Sequence, residues 1–327
     1  MTDQKEVPYP GIYLSTTDTG LPDWFTNDFE KYSNFKEMAG GGGGVLLSCK
    51  DGNLGRTVAI KKLLSDRKVD AVQRRRLLRE ARITAQLAHP NTVPVYEIGK
   101  DDDGNIYFAM KKIEGENLFN ILCRIAQGDE PTRNRYSLDR LLEVLVQASN
   151  ALTYAHTSGV IHRDVKPENI LVGFFGEVYL MDWGVAKVWG MPNEVGVDDL
   201  FKSSLQERLT NAGRRPGTPL YMSPEQVQDV PVDERTDIFS LGVVLYELLA
   251  LQEPFKGETI KQTFDNILHY TPPPPSQVSQ HLKVPEELDA VCARAMRKKP
   301  GDRYQNVLEM IRDIRQFREE AMLADRR

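Results

Sequence analysis

Cysteine is scarce in this chain: three residues in 327, at Cys49, Cys123 and Cys292, widely separated and without Cys-x-x-Cys spacing. An odd, scattered set argues against a disulfide scaffold and a thiolate zinc site, and fits a reducing compartment. Long hydrophobic runs are missing too. The most apolar stretch, residues 242–251, is interrupted by Glu247 and falls short of the ~18–20 residues that span a bilayer. There is no basic excess: 42 Lys and Arg against 47 Asp and Glu leave a net charge of −5, which makes no case for a general nucleic-acid or membrane-surface binder. The amino terminus is polar and acidic and lacks the basic start and apolar core of a secretory signal. No internal repeat is visible.

What is present is ordinary for a soluble globular protein, with 40% apolar and 27% charged residues and enough length for two modest lobes. Residues 1–31 form a polar leader, extended or poorly ordered up to its aromatic end. Trp24, Phe25 and Phe29 follow one another at helical spacing, either packing outside the first lobe or presenting a docking helix. Strands are expected at 32–38, 45–47, 58–61, 92–97 and 106–111, with turns at 51–55 and 101–104. A basic helix is expected over 69–87. The second half reads as helical: 118–127, a polar loop at 129–135, then 138–156 ending near Gly159, a buried helix at 233–251, one starting at 285 and a last one over 307–322. Short strands at 160–161, 170–172 and 178–181 interrupt it. Residues 183–225 lose periodicity, and Pro272 to Pro275 reads as a rigid break.

The chemistry concentrates in residues 160–184. Asp164, Asn169 and Asp182 fall within nineteen positions, with Lys166 among them. A carboxylate that can accept a hydroxyl proton, a lysine, and a carboxylate–amide pair that can hold a hard cation suit phosphoryl transfer, which depends on positioning and charge neutralisation. The glycine run at 40–44 lets backbone N–H groups approach phosphates, although taken alone it also fits a flexible linker.

His162-Arg163-Asp164 followed by Asn169 resembles the catalytic loop of eukaryotic-type serine/threonine protein kinases, the Hanks type found in bacteria. Asp182-Trp183-Gly184 resembles that family's Asp-Phe-Gly triplet with Trp for Phe, and Val58-Ala59-Ile60-Lys61 its third-strand motif. The resemblance implies an α+β, bilobal fold: a small lobe with a five-stranded antiparallel sheet and one helix, and a larger, mainly helical lobe. The domain would cover 32–318, divided at 112/113, with a tail at 319–327 and no sensor domain beyond it. It further implies transfer of the γ-phosphoryl group of Mg-ATP (Mn²⁺ being the alternative metal) to Ser/Thr hydroxyls of proteins, the chain itself included. The expected setting is cytoplasmic bacterial signalling, with no nucleic-acid partner, no membrane segment and a homodimer for autophosphorylation.

Residue by residue, the resemblance makes Asp164 the base, Lys166 the group that steadies the phosphoryl, Thr218 a partner of both, and Asn169 and Asp182 the metal ligands. The phosphate loop aligns as Ala39, Gly41 and Gly44. Leu46, Ala59 and Leu171 would sandwich the adenine, Met110 would face the back of the pocket, and backbone groups of Lys111 and Ile113 would read the adenine edge. Glu80 would orient Lys61; otherwise it is one more solvated helix charge. The five arginines of the 69–87 helix form a solvated face or meet a phosphate. Arg163 would neutralise a phosphate on Ser203, Ser204 or Thr210. Asp237 would brace the catalytic loop, and Glu225 would pair with Arg303. Ser223 stands where the family's Ala-Pro-Glu has Ala. The alternatives are a pseudokinase scaffold, against which the presence of Lys61, Asp164, Asn169 and Asp182 counts, and a small-molecule kinase, against which the 217–225 docking segment counts.

The loop at 39–44 departs from the family pattern, with alanine first and glycine at the tip. Each surplus glycine adds an ordering cost of roughly 0.5–1 kcal/mol relative to alanine. Gly43→Ser is therefore expected to lower the ATP Michaelis constant and to slow hydrogen exchange in the loop; if neither moves, the surplus glycine is not what limits affinity.

Overall fold

The computed structural model describes residues 25–41, 44–63, 71–188 and 219–324. The chain divides into two compact units, one within residues 1–69 and 96–112 and the other within 70–95 and 113–327. The helix expected over 69–87 falls within the residues of the second unit.

The first unit is a five-stranded sheet. Its strands are β1 (Tyr32–Gly41), β2 (Gly44–Asp51), β3 (Arg56–Leu63), β4 (Val95–Lys100) and β5 (Ile106–Lys111), ordered β1-β2-β3-β5-β4. Two aspartates build its turns. Asp51 accepts from the backbone N–H of Asn53 at 3.1 Å and from Arg56 Nε at 3.2 Å, while Gly55 takes φ 67°. Asp101 repeats the device, accepting from the N–H of Asp103 and Asn105 at 3.1 and 2.8 Å, and Gly104 takes φ 81°. Short polar side chains that bond to the backbone just ahead favour turns over continued strand. Tyr32, Cys49, Val58, Ile60, Tyr107 and Ala109 form a small core, with Phe29 packed on it. Phe29 lies in a single 3-10 turn, Phe29–Lys31, rather than in a helix, and its ring meets those of Tyr32, Phe35 and Tyr107. Trp24 and the residues before it lie outside the described residues.

The second unit begins with α1 (Ala71–Gln86), which buries Leu77, Glu80, Ala81, Ile83 and Thr84 along one face. There follow β6 (Gly115–Asn117), α2 (Leu118–Ala126), α3 (Glu130–Arg135), α4 (Leu138–Thr157) and β7 (Val160–Ile161). The expected loop at 129–135 is thus a helix. Asp129 caps it by accepting from Thr132 N–H at 3.0 Å, and Pro131 stands in the first turn, where its missing donor costs nothing. Next come β8 (Ile170–Gly173), β9 (Val178–Leu180) and β10 (Lys187–Val188). β6, β8 and β9 form one small sheet, and β10 pairs with β7. The remaining helices are α5 (Pro224–Val227), α6 (Arg235–Ala250), α7 (Ile260–His269), α8 (Pro275–Val278), α9 (Glu286–Ala295) and α10 (Val307–Ala324).

Every residue of α6 from Thr236 to Ala250 is buried, the polar Thr236, Asp237, Ser240 and Glu247 included, so this helix is enclosed on all sides and forms the centre of the unit. Gly242 lets α9 approach it closely: a Cβ there would meet the Ala295 Cβ at 2.7 Å. Among the described residues no helix is long and apolar enough to cross a membrane.

One buried ion pair joins distant segments of this unit. Arg303 donates to both Glu225 oxygens, at 2.7 and 2.8 Å, and to the carbonyls of Arg297, Arg235 and Lys298 at 2.7, 2.8 and 3.0 Å. Those bonds occupy the full donor set of a guanidinium. Thr236 adds a hydroxyl bond to Glu225 at 2.7 Å. Burial alone would raise the Glu225 carboxyl, but the bonds and charge of Arg303 outweigh it and hold it below the ordinary glutamate value. The sign follows: the pair's contribution is complete above that ordinary value and is lost as pH falls through the lowered one. Arg303→Ala should cost roughly 3–5 kcal/mol, because it strands a buried carboxylate. Urea unfolding checks this, and above neutral pH the deficit should persist in full.

Candidate functional site

The chemistry-bearing loop between β7 and β8 is held from below by α6. Asp237, fully buried in the first turn of that helix, accepts from the backbone N–H groups of His162 and Arg163, each at 2.8 Å, and bonds His156 Nε2 at 2.8 Å. Burial pushes the Asp237 carboxyl up, yet the bonds and charges of His156 and His162 prevail and hold it below the usual aspartate range. With its backbone pinned, Arg163 takes the left-handed φ of 66°, a conformation that a non-glycine residue keeps only when its surroundings enforce it. Gln226 Nε2 adds a bond to the Arg163 carbonyl at 2.9 Å, and Arg163 Nε donates to Val185 O at 2.7 Å.

On this loop Asp164 meets two partners. Lys166 Nζ donates to its Oδ2 at 2.9 Å, and Asn169 Nδ2 donates to its backbone carbonyl at 2.8 Å and to Oδ2 at 3.2 Å. The carboxylate is thereby oriented by two donors on one oxygen. The Met181 N–H donates to the Asn169 carbonyl at 2.8 Å, so the residue before Asp182 is bonded to the backbone of Asn169. A carboxylate and an amide oxygen are the kind of hard ligand that Mg²⁺ takes, using few protein oxygens and completing its shell with phosphate and water.

Asp182 also has φ 59°, and its Oδ1 accepts from Gly184 N–H at 3.4 Å. Behind it Trp183 is fully buried; its indole N–H donates to Leu180 O at 3.3 Å, and its ring packs edge-on against His162 at 4.5 Å. His162 Nε2 in turn bonds Met181 O at 2.9 Å. The larger side chain at the Phe position thus finds both space and a partner for its polar atom. Ser223 has a local role: with Gln226 it forms the capping box that starts α5.

In the first unit the sheet register lines up several of the expected nucleotide residues. Ala39 pairs with Leu46, Leu46 with Lys61, and Ala59 with Met110. Gly41 and Gly44 pair at the end of β1 and β2, and Lys111 ends β5. Ile113, Leu171 and Glu80 lie in the second unit, the last buried on α1. Thr218, Ser203, Ser204, Thr210 and the glycine tip at Gly42 and Gly43 lie outside the described residues. Sequence reasoning missed His156, Gln226 and the two α1 arginines that reach the 182–186 stretch: Arg76 Nη2 to Asp182 Oδ2 at 3.3 Å and Arg79 Nε to Ala186 O at 2.8 Å. A histidine in the last turn of a helix and a glutamine after Pro-Glu carry no motif of their own.

The protein kinase domain model matches residues 32–314. The chain belongs to the protein kinase family. Similar proteins include the serine/threonine-protein kinase PknD of Protochlamydia amoebophila (strain UWE25), 36% identical over 321 residues, which are 95% of this chain and 32% of that protein. The PknD proteins of Chlamydia pneumoniae and Chlamydia felis (strain Fe/C-56) are 36% and 34% identical, over 87% and 88% of this chain and 31% of each relative. The chain therefore spans about a third of the length of these curated relatives. The resemblance to Hanks-type serine/threonine kinases and the α+β kinase fold are borne out, and nothing favours the pseudokinase alternative. Membership of this family implies ATP, a divalent cation and a protein acceptor.

Asp237→Asn would set an amide N–H₂ against backbone donors in a site closed to water. A loss of roughly 1–3 kcal/mol is expected, together with a fall in kcat larger than any change in the ATP Michaelis constant. Steady-state kinetics on the folded variant separates the two.

Proposed function

We propose that this chain is a serine/threonine protein kinase that transfers the γ-phosphoryl group of Mg-ATP to Ser or Thr hydroxyls of proteins, itself included. The observation that carries this reading is the Asp164 carboxylate, fixed between Lys166 and Asn169 on a loop whose backbone is bonded to buried Asp237. In the step itself, the acceptor oxygen attacks the γ-phosphorus while Asp164 takes its proton. The bond from the γ-phosphorus to the bridging oxygen breaks, and ADP leaves with the electron pair. Lys166, already bonded to Asp164 at 2.9 Å, can swing its charge to the transferring phosphoryl oxygens. A divalent cation bound by Asn169 and Asp182 would neutralise charge on the phosphates. Mg²⁺ is the natural choice for two hard oxygen ligands, and Mn²⁺ has the same preference.

For the nucleotide, Lys61 would meet the α- and β-phosphates, with Glu80 orienting it. Ala39, Gly41 and Gly44 would line the phosphate loop, and Leu46, Ala59, Leu171, Met110, Lys111 and Ile113 would hold the adenine. Thr218 would bond Asp164 and Lys166 when substrate is present, and Arg163 would receive a phosphate from Ser203, Ser204 or Thr210. The kinase domain is taken as 32–318. Three free thiols, two of them buried, support a reducing cytoplasmic setting. Phosphorylation of one copy by another in a homodimer is the simplest route to activation, and neither nucleic acid nor membrane has a part in it.

Label transfer from γ-labelled ATP to a basic acceptor protein tests the reading. Asp164→Asn should lower kcat about 10²–10⁴-fold while nucleotide binding persists, and mass spectrometry of the active wild type should find phosphate within 198–218. No transfer by wild type that still binds nucleotide would overturn it.

A further inference from the structure

The contact between Arg76 and Asp182 has no part in the transfer step. Arg76 lies on α1, one turn before Glu80. Its Nη2 donates to Asp182 Oδ2 at 3.3 Å, and the two side chains are 26% and 24% exposed. Charge-assisted bonds of this kind are ordinarily shorter, so at this length and exposure the contact is of the weak, partly solvated class. The stem of Arg76 lies against Gly184, where a Cβ would come within 2.9 Å of Arg76 Cγ. One turn further along α1, Arg79 Nε donates to Ala186 O at 2.8 Å. The helix thus grips the 182–186 stretch at two points of different chemistry, one through a carboxylate and one through a neutral carbonyl.

Only the first grip conflicts with a metal. A divalent cation on Asp182 needs the same carboxylate and is repelled by a guanidinium beside it. We propose that Arg76 is a built-in competitor for the metal: it neutralises Asp182 when no cation is bound and gives up the carboxylate as the cation loads. Metal occupancy and the Arg76 grip on Asp182 are then mutually exclusive, while Arg79 keeps α1 attached to Ala186 in both conditions. By linkage, whatever draws the Arg76 end of α1 away from Asp182 strengthens metal binding, and metal loading loosens that end of α1 to the same degree. The inference rests on the assignment of Asp182 as a metal ligand.

The test uses the full chain with the β,γ-imido analogue of ATP and reads free Mn²⁺ by its electron paramagnetic resonance signal, independently of turnover. Arg76→Gln and Arg76→Met, the second of which keeps the stem against Gly184, should each bind Mn²⁺ about three- to tenfold more tightly than wild type, the scale of a screened repulsion between like charges. Arg76→Lys should stay near wild type. Equal or weaker Mn²⁺ binding in both neutral variants, with thermal unfolding unchanged, overturns the proposal. Failure of both to fold overturns it as well, since a loose, partly exposed competitor cannot be what holds the unit together. Asp182→Asn separates the two levels. If wild-type binding does not depend on Asp182, the metal assignment falls and this inference with it; if binding depends on Asp182 but ignores Arg76, this inference alone falls.

Discussion

A single carboxylate buried in the centre of the larger unit sets the geometry of everything above it. Asp237 has no access to water, and its energy is tolerable only because both oxygens are bonded, to two successive backbone N–H groups and to His156. Burying a charge is costly, so the arrangement works only if those donors stay where they are. That requirement holds the backbone at 162–163 in place and enforces the left-handed turn at Arg163. It therefore fixes where the next residue, Asp164, can present its carboxylate. The position of the Asp164 carboxylate follows from the desolvation of another carboxylate, bonded to the backbone of the residue just before it.

The same logic explains why parts of the site were legible in sequence and others were not. The strands and most helices followed from periodicity, and the sheet turns from the Asp-led, glycine-containing stretches 51–55 and 101–104, whose side-chain bonds are local. Asp164, Asn169 and Asp182 stood out because ligand chemistry restricts residue types at close spacing. His156 and Gln226 did not, because their contribution is one hydrogen bond across 81 and 63 positions, and many residue types could have filled such a role. The α3 segment reads as loop in sequence because it holds no apolar residue but Pro131. Its helical state comes from the Asp129 cap and from Thr132 packing inward, neither of which shows as an apolar stripe. The fourth strand begins at Val95 rather than Thr92 because Thr92 is engaged elsewhere: its hydroxyl bonds the carbonyls of Leu87 and His89, closing the end of α1.

Two departures from the family pattern have local explanations. Trp183 fills a fully buried site, and its indole N–H takes a carbonyl three residues back, so the extra polar atom is matched without a new partner side chain. Ser223 replaces an apolar residue but supplies the capping box of a very short helix whose second residue is Glu225. The cap thus helps to aim the carboxylate that Arg303 requires. In both cases the substituted residue meets its own hydrogen-bonding needs within a few residues of chain, which is why the surroundings need not have changed to accept it.

The pairing of Glu225 with Arg303 also has a bearing on how the chain is made. The two residues are 78 positions apart. At a synthesis rate of roughly 5–20 residues per second, the carboxylate emerges about 4–16 s before its guanidinium. During that interval α6 can form, since its own turns are local, but Glu225 cannot be withdrawn from water without a counter-charge. Completing the interior around Glu225 therefore depends on a residue made 78 positions later, after most of the helices around α6.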